Sequence, residues 1–285
     1  MSQTAPAASS AVRQADERMT AEREETKYLV SASGMGSLAA LLNERLPAHH
    51  FTGEGANVLP DPHHFVTTVY FDTASHAHLR AALSDVEHNV KVRAKEYYDV
   101  HPSLAELATD PAQIVRYQPW MWFELKRREG ATTSKRRFRL PKRDVPAFFS
   151  GQCSTAATSL SLDASEVAGV GEILAYFAQL EEPLEASCVV NYRRFSWQDT
   201  QGALRVTIDV GLSFYAPPAD LWSRERALVR STLGSAAGSE RRAVLEVKRR
   251  GPLPEWLTQM LSTPEVRPLP FSKFVAASQA VHGQR

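Results

Sequence analysis

Charged residues in this sequence recur at every second position of stretches that are otherwise apolar. Lys91, Arg93 and Lys95, followed by Tyr97, alternate with Val90, Val92 and Ala94. Glu124, Lys126 and Arg128 oppose Phe123 and Leu125, and Lys135, Arg137 and Arg139 oppose Phe138 and Leu140. Arg23, Glu25 and Lys27 begin the pattern; Tyr192 with Arg194, Arg205 with Thr207 and Asp209, and Glu246 with Lys248 continue it. Alternate side chains of a β-strand share a face, so each stretch predicts a strand with one apolar and one charged face. The charged faces are rich in Lys and Arg and carry few Ser, Thr, Gln or Asn, unlike an ordinary wet sheet face. Guanidinium forks and ammonium point charges gathered in this way suit phosphate oxygens. A basic interior repels itself unless carboxylates are interspersed or anions bind. The candidate carboxylates are Glu25, Glu124 and Glu246. They have two readings: salt bridges to neighbouring Lys and Arg, or oxygen ligands for Mg2+ or Mn2+ bridging to substrate phosphates.

The elements that must carry these residues follow from the same periodicity. Strands are expected at Arg23–Ser31, Phe65–Asp72, His88–Val100, Trp120–Arg128, Ser134–Leu140, Glu185–Gln198, Ala203–Leu212 and Ala243–Arg250. Apolar residues at helical spacing predict helices over Ser37–Leu46, Ser75–Leu83, Val145–Phe149, Val167–Leu180 and Ser272–His282. Pro102–Gln118 and Leu233–Glu240 read as loops. The expected fold is mainly β (α+β): an eight-stranded closed antiparallel β-tunnel with flanking helices, its charged faces turned inward. Residues 1–20, rich in Ala and Ser and without aromatics, read as a disordered tail, and residues 21–285 as a single domain.

Composition removes several classes. The chain has 285 residues, 33 Lys+Arg against 32 Asp+Glu and a formal net charge of +1. A protein that coats nucleic acid carries a basic excess, so no nucleic-acid partner is expected, and any polyanion site must arise by local segregation of charge. Two cysteines, Cys153 and Cys188, make neither a disulfide framework nor a zinc pattern, and a reducing, cytoplasmic setting is the expectation. There is no run of 18 apolar residues and no secretory signal; a role at a membrane needs a membrane-protein partner. His49–His50, His63–His64 and His76 with His78 are read as loop or surface histidines, and Trp120 and Trp122 as core or rim packing. There is no Gly-rich phosphate loop and no nucleophile elbow.

Nine short motifs in order resemble one family. Arg23-x-Glu25-x-Lys27-Tyr28 resembles the first-strand signature of the triphosphate tunnel metalloenzymes (the CYTH-like superfamily), in the form found in the VTC branch, the polyphosphate polymerase domain of the vacuolar transporter chaperone complex. Val69-Tyr70-Phe71-Asp72-Thr73, Lys91-Val92-Arg93-Ala94-Lys95-Glu96-Tyr97, Phe123-Glu124-Leu125-Lys126 and Ser134-Lys135-Arg136-Arg137 are similar to its following segments. Tyr192-Arg193-Arg194, Leu204 to Asp209, Leu245-Glu246-Val247-Lys248 and Phe271-Ser272-Lys273-Phe274 complete the order.

The resemblance implies transfer of the terminal phosphate of ATP onto a growing polyphosphate chain. It implies phosphate contacts from Lys27, Lys91, Arg93, Lys126, Lys135, Arg137, Arg194, Arg205, Lys248, Ser272 and Lys273. Catalysis would rest on Lys27, Lys91, Arg93, Lys126, Arg194, Arg205 and Glu246. The metal, Mn2+ or Mg2+, would sit on Glu246, helped by Glu25 or Glu124. The alternatives are a triphosphate hydrolase, acting on inorganic triphosphate or a nucleotide, and a non-catalytic polyphosphate-binding module. Arg23 stands where the broader family has Glu, which removes one implied metal ligand. No SPX-like domain or membrane span is expected beside the tunnel.

Overall fold

The computed structural model describes residues 24–49, 63–100, 115–117, 120–130, 132–150, 161–222 and 227–283. The expected tail over residues 1–20, Arg23, His50, Cys153 and most of the Pro102–Gln118 loop lie outside the described residues. The fold is mainly antiparallel β-sheet with flanking helices. The strands are β1 (Glu24–Val30), β2 (His63–Thr73), β3 (His88–Val100), β4 (Val115–Tyr117), β5 (Trp120–Glu129), β6 (Thr132–Pro141), β7 (Leu184–Gln198), β8 (Leu204–Tyr215), β9 (Gly238–Glu240), β10 (Ala243–Arg249) and β11 (Val266–Pro268). The helices are α1 (Ala32–Arg45), α2 (Ala77–Ser84), α3 (Val145–Phe149), α4 (Ala164–Phe177), α5 (Glu255–Leu261) and α6 (Lys273–His282).

All the long expected strands are present, and their hydrogen-bonded order is β11-β1-β10-β8-β7-β2-β3-β5-β6, with β4 on β3 and β9 on β8. This corrects the closed ring of eight: the described strands form an open path of nine, with β4 and β9 branching from it to make a sheet of eleven. The additional strands β4, β9 and β11 have 3 residues each, too few to show an alternation. They also place short strands inside both expected loops. Edge strand β6 is covered by α4 rather than by another strand, one of the usual ways to protect an edge. Gly169 of α4 permits this: a Cβ there would lie 2.8 Å from the backbone oxygen of Arg137.

The chain divides into two compact units. The first comprises the N-terminal part to His49, Phe195–Asp209 and Arg242–Phe271; the second comprises His50–Arg194, Val210–Arg241 and Ser272–Arg285. In the first, β1, β10 and the start of β8 pair antiparallel, and Ile208, Leu245 and Tyr28 fall in one register row. Helix α1 begins five residues before the periodicity predicts, because Ser31 caps it by accepting a hydrogen bond from the Gly34 N–H. Gly34 and Gly36 weaken the helical signal there. A Cβ on Gly34 would meet that of Glu265 at 2.6 Å. The α1 residue Asn43 accepts a hydrogen bond from the Trp197 indole at 2.8 Å.

In the second unit, the apolar faces of β2, β3, β5 and β6 place Phe71, Val92, Ala94, Phe123, Leu125 and Phe138 in one core with Phe148 of α3 and Val170 and Ile173 of α4. Phe123 packs edge-on against Phe148 and Phe149. Helices thus cover the apolar face, as the alternation requires, and leave the charged face opposite. Two of the histidines read as surface residues are buried. His64 packs against Tyr97, and His78, in the first turn of α2, hydrogen-bonds Tyr176 at 2.7 Å. Their burial follows from the sheet face and helix turn they occupy, which adjacency in the chain does not reveal.

Candidate functional site

On β3, β5 and β6 the register builds a block of three rows. Lys91, Lys126 and Lys135 form the first; Arg93, Glu124 and Arg137 the second; Lys95, Trp122 and Arg139 the third. These nine positions hold seven cations, one Trp and a single carboxylate. That carboxylate, Glu124, is 1% exposed. It accepts from Arg93 Nε at 2.7 Å and faces Lys95 Nζ at 3.2 Å and Lys135 Nζ at 3.9 Å. Burial alone would raise the Glu124 carboxyl, but Lys95, Arg93, Lys135 and Arg137 outweigh it and hold the group well below its usual range. Lys95 moves the other way for an amine. Burial first, then Arg93, with Arg194 and Lys135, push it well below the usual lysine value, and Glu124 offsets only part of that. Burial pushes Tyr97, on the same face, up to about 12. One carboxylate among seven buried or half-buried cations leaves a surplus of positive charge that an anion can neutralise.

Other expected residues join this unit's face. Arg194 and Lys273 lie over the Tyr192 ring at 5.4 and 4.9 Å. Ser272, an expected substrate contact, caps α6 by accepting from the Val275 N–H. Arg139 is engaged by Glu166 of α4, whose oxygens accept from Arg139 Nε at 2.7 Å and from its backbone N–H at 3.0 Å. Glu166 was not anticipated; its only sequence signal is the capping box with Asp163 that starts α4. Trp122 lies beneath the Arg137 guanidinium at 4.3 Å, so its packing is with site residues.

The first unit carries a smaller face with more balanced charge. Glu25, Lys248 and Arg205 form one row, and Lys27, Glu246 and Thr207 the next. Lys27 Nζ lies 3.6 Å from Glu25 and donates to the Phe271 carbonyl. Lys248 is ion-paired to Glu246, and Arg205 donates to the Gln198 amide oxygen. Glu246 is 7% exposed. Among the described residues no group of three or more His, Cys, Asp or Glu is placed to hold a metal. Glu25 and Glu246 are diagonal neighbours on one face, a spacing of roughly 7–8 Å that long side chains can bridge. A hard cation such as Mg2+ takes one or two carboxylates and completes its shell with phosphate and water oxygens. The two acids fit that mode. Glu124, whose oxygens face three cations, fits it less well.

The succession of basic strands agrees with the family comparison. The chain belongs to the VTC-domain family, whose model matches residues 22–282. Functionally curated proteins yield no significant match. Among solved structures, a Hippeastrum protein described as an adenylyl cyclase with a dominant triphosphatase activity is similar over 91% of this chain and 96% of its own, at 12% identity and a TM-score of 0.46. A Bacillus halodurans protein described as an adenylate cyclase is similar over 89% and 97%, at 15% identity and a TM-score of 0.46. One from Vibrio parahaemolyticus, similarly described, covers 91% and 88% at 9% identity and a TM-score of 0.33. Among the described residues no helix is long and apolar enough to cross a membrane.

Proposed function

We propose that this protein is a metal-dependent polyphosphate polymerase that transfers the terminal phosphate of ATP to a polyphosphate chain. The observation that supports this best is the block on β3, β5 and β6, where seven cations surround one carboxylate. Such a face suits a linear run of phosphates better than a single small anion. Membership of the VTC-domain family adds to it. In this reading residues 21–285 act as one domain in the cytoplasm, with a membrane protein as the partner for any export.

The roles are assigned residue by residue. Lys91, Arg93, Lys126, Lys135, Arg137, Arg194, Ser272 and Lys273 bind phosphate, as do Lys27, Arg205 and Lys248. Glu246, with Glu25, holds Mg2+ or Mn2+. When bound, the cation supplies charge neutralisation on the transferring phosphate. An oxygen of the chain's terminal phosphate attacks the γ-phosphorus of ATP. The bond from that phosphorus to its β-bridging oxygen breaks, and ADP leaves with the electron pair. The protein's own contribution is to align donor and acceptor and to offset charge, because phosphoryl transfer needs little covalent help. Glu124 serves as the counter-charge that keeps Arg93, Lys95 and Lys135 folded together.

The test is to incubate the protein with ATP, Mn2+ or Mg2+ and a short polyphosphate primer, and to stain the products on a gel. A ladder that disappears in Glu246→Ala is the expected result. Free phosphate without a ladder replaces the polymerase with a triphosphate hydrolase. Binding without turnover leaves a polyphosphate-binding module, in which the carboxylates are counter-charges alone.

A further inference from the structure

Three polar side chains of the second unit meet in one row across three strands. Thr68 on β2 pairs with Lys95 on β3, and Lys95 pairs with Trp122 on β5. Directly paired residues project to one side with Cβ atoms roughly 5 Å apart, so the three share the face that bears Arg93, Glu124 and Arg137. Thr68 is 1% exposed, and its buried hydroxyl has no hydrogen-bond partner among the described residues. The Trp122 indole N–H is also buried and has no acceptor among the described residues. Lys95 stands between them, 8% exposed. Its ammonium faces a single carboxylate oxygen, Glu124 Oε2 at 3.2 Å, which Arg93 already takes at 2.7 Å.

A buried donor without an acceptor opposes folding. Two of them flanking an under-compensated ammonium are a set of donors that lacks an acceptor-rich partner. We propose that Thr68, Lys95 and Trp122 form a phosphate subsite, in which the hydroxyl, ammonium and indole N–H donate to oxygens of one phosphate group of a linear polyphosphate or triphosphate. The inference rests on the reading of this face as polyphosphate-binding. It gives the third row of the block, Lys95–Trp122–Arg139, a ligand of its own, so that the three rows offer phosphate contacts over about 13 Å along the strands. Arg137, over the Trp122 ring at 4.3 Å, borders the subsite.

The experiment is calorimetric titration of the full chain with inorganic tripolyphosphate, paired with thermal unfolding of each ligand-free protein. The variants are Thr68→Val, Thr68→Ser and Trp122→Phe. Thr68→Val and Trp122→Phe should each weaken binding about tenfold, and Thr68→Ser should restore it. Ligand-free Thr68→Val should unfold at the same or a higher temperature than the wild type, because an unsatisfied hydroxyl has been removed. Loss of binding together with a lowered unfolding temperature in Thr68→Val marks a structural role and overturns the subsite. Wild-type affinity in both Thr68→Val and Trp122→Phe also overturns it, with ordinary water as the missing partner, and leaves the polyphosphate reading standing. A wild-type protein that does not bind tripolyphosphate ends the polyphosphate reading and the subsite together.

Discussion

Lys95 and Glu124 are 3.2 Å apart, and both titrate below their ordinary values, for opposite reasons. Glu124 is surrounded by opposite charge, and Lys95 is buried among like charge. The lowered Lys95 value has a sign that can be measured. In the unfolded chain the amine titrates near 10.5. Between its folded value and 10.5 the unfolded chain holds a proton that the native protein lacks, so stability rises with pH across that window. As pH rises through the folded value the empty face loses a positive charge, so affinity for tripolyphosphate falls from there upward. The charged groups that set this balance are Arg93, Glu124, Arg194 and Lys135. Urea unfolding and calorimetry from neutral to alkaline pH should therefore show stability and affinity moving in opposite directions. Lys95→Met should remove both trends. Alternation places Lys95 on the charged face, but its burial and its neighbours come from strands remote in the chain.

At the scale of the elements, α4 holds the edge of the basic sheet. Glu166 is at once the third residue of the α4 capping box and the partner of Arg139 on β6. Removing it strips a cap and leaves a buried guanidinium uncompensated. Glu166→Ala should cost about 3–5 kcal/mol in urea unfolding, and polyphosphate binding should weaken with it, since β6 carries Lys135 and Arg137. Glu166→Gln keeps the cap and part of the hydrogen bonding, and should lose less. The long strands are legible in the chain because alternation over seven or more residues is hard to produce otherwise. Helix α5 is not, since its 7 residues make barely two turns. Strands β4, β9 and β11 are held by pairing to neighbours and by nothing in their own composition.

Across the whole molecule, a net charge of +1 coexists with a block of seven cations and one carboxylate. Acidic residues elsewhere balance the charge. A surface-binding polyanion meets the average, whereas a linear phosphate chain meets the block. Excess duplex DNA should therefore fail to displace tripolyphosphate in a competition titration, while rising salt should weaken tripolyphosphate binding by screening the more exposed cations. The period of two is a property of the extended backbone, so reading the chain alone was enough to sort Lys91, Arg93, Lys126, Lys135 and Arg137 onto charged faces. It was enough, too, to identify the order of motifs that the family shares. Which of those residues meet is a matter of register between strands tens of residues apart. Hydrogen-bonded pairing brings Glu124 between Arg93 and Arg137 and sets Thr68 and Trp122 on either side of Lys95. Burial then converts those neighbours into shifted titrations and unsatisfied donors, because the strength of an electrostatic contact depends on how much water the fold removes around it.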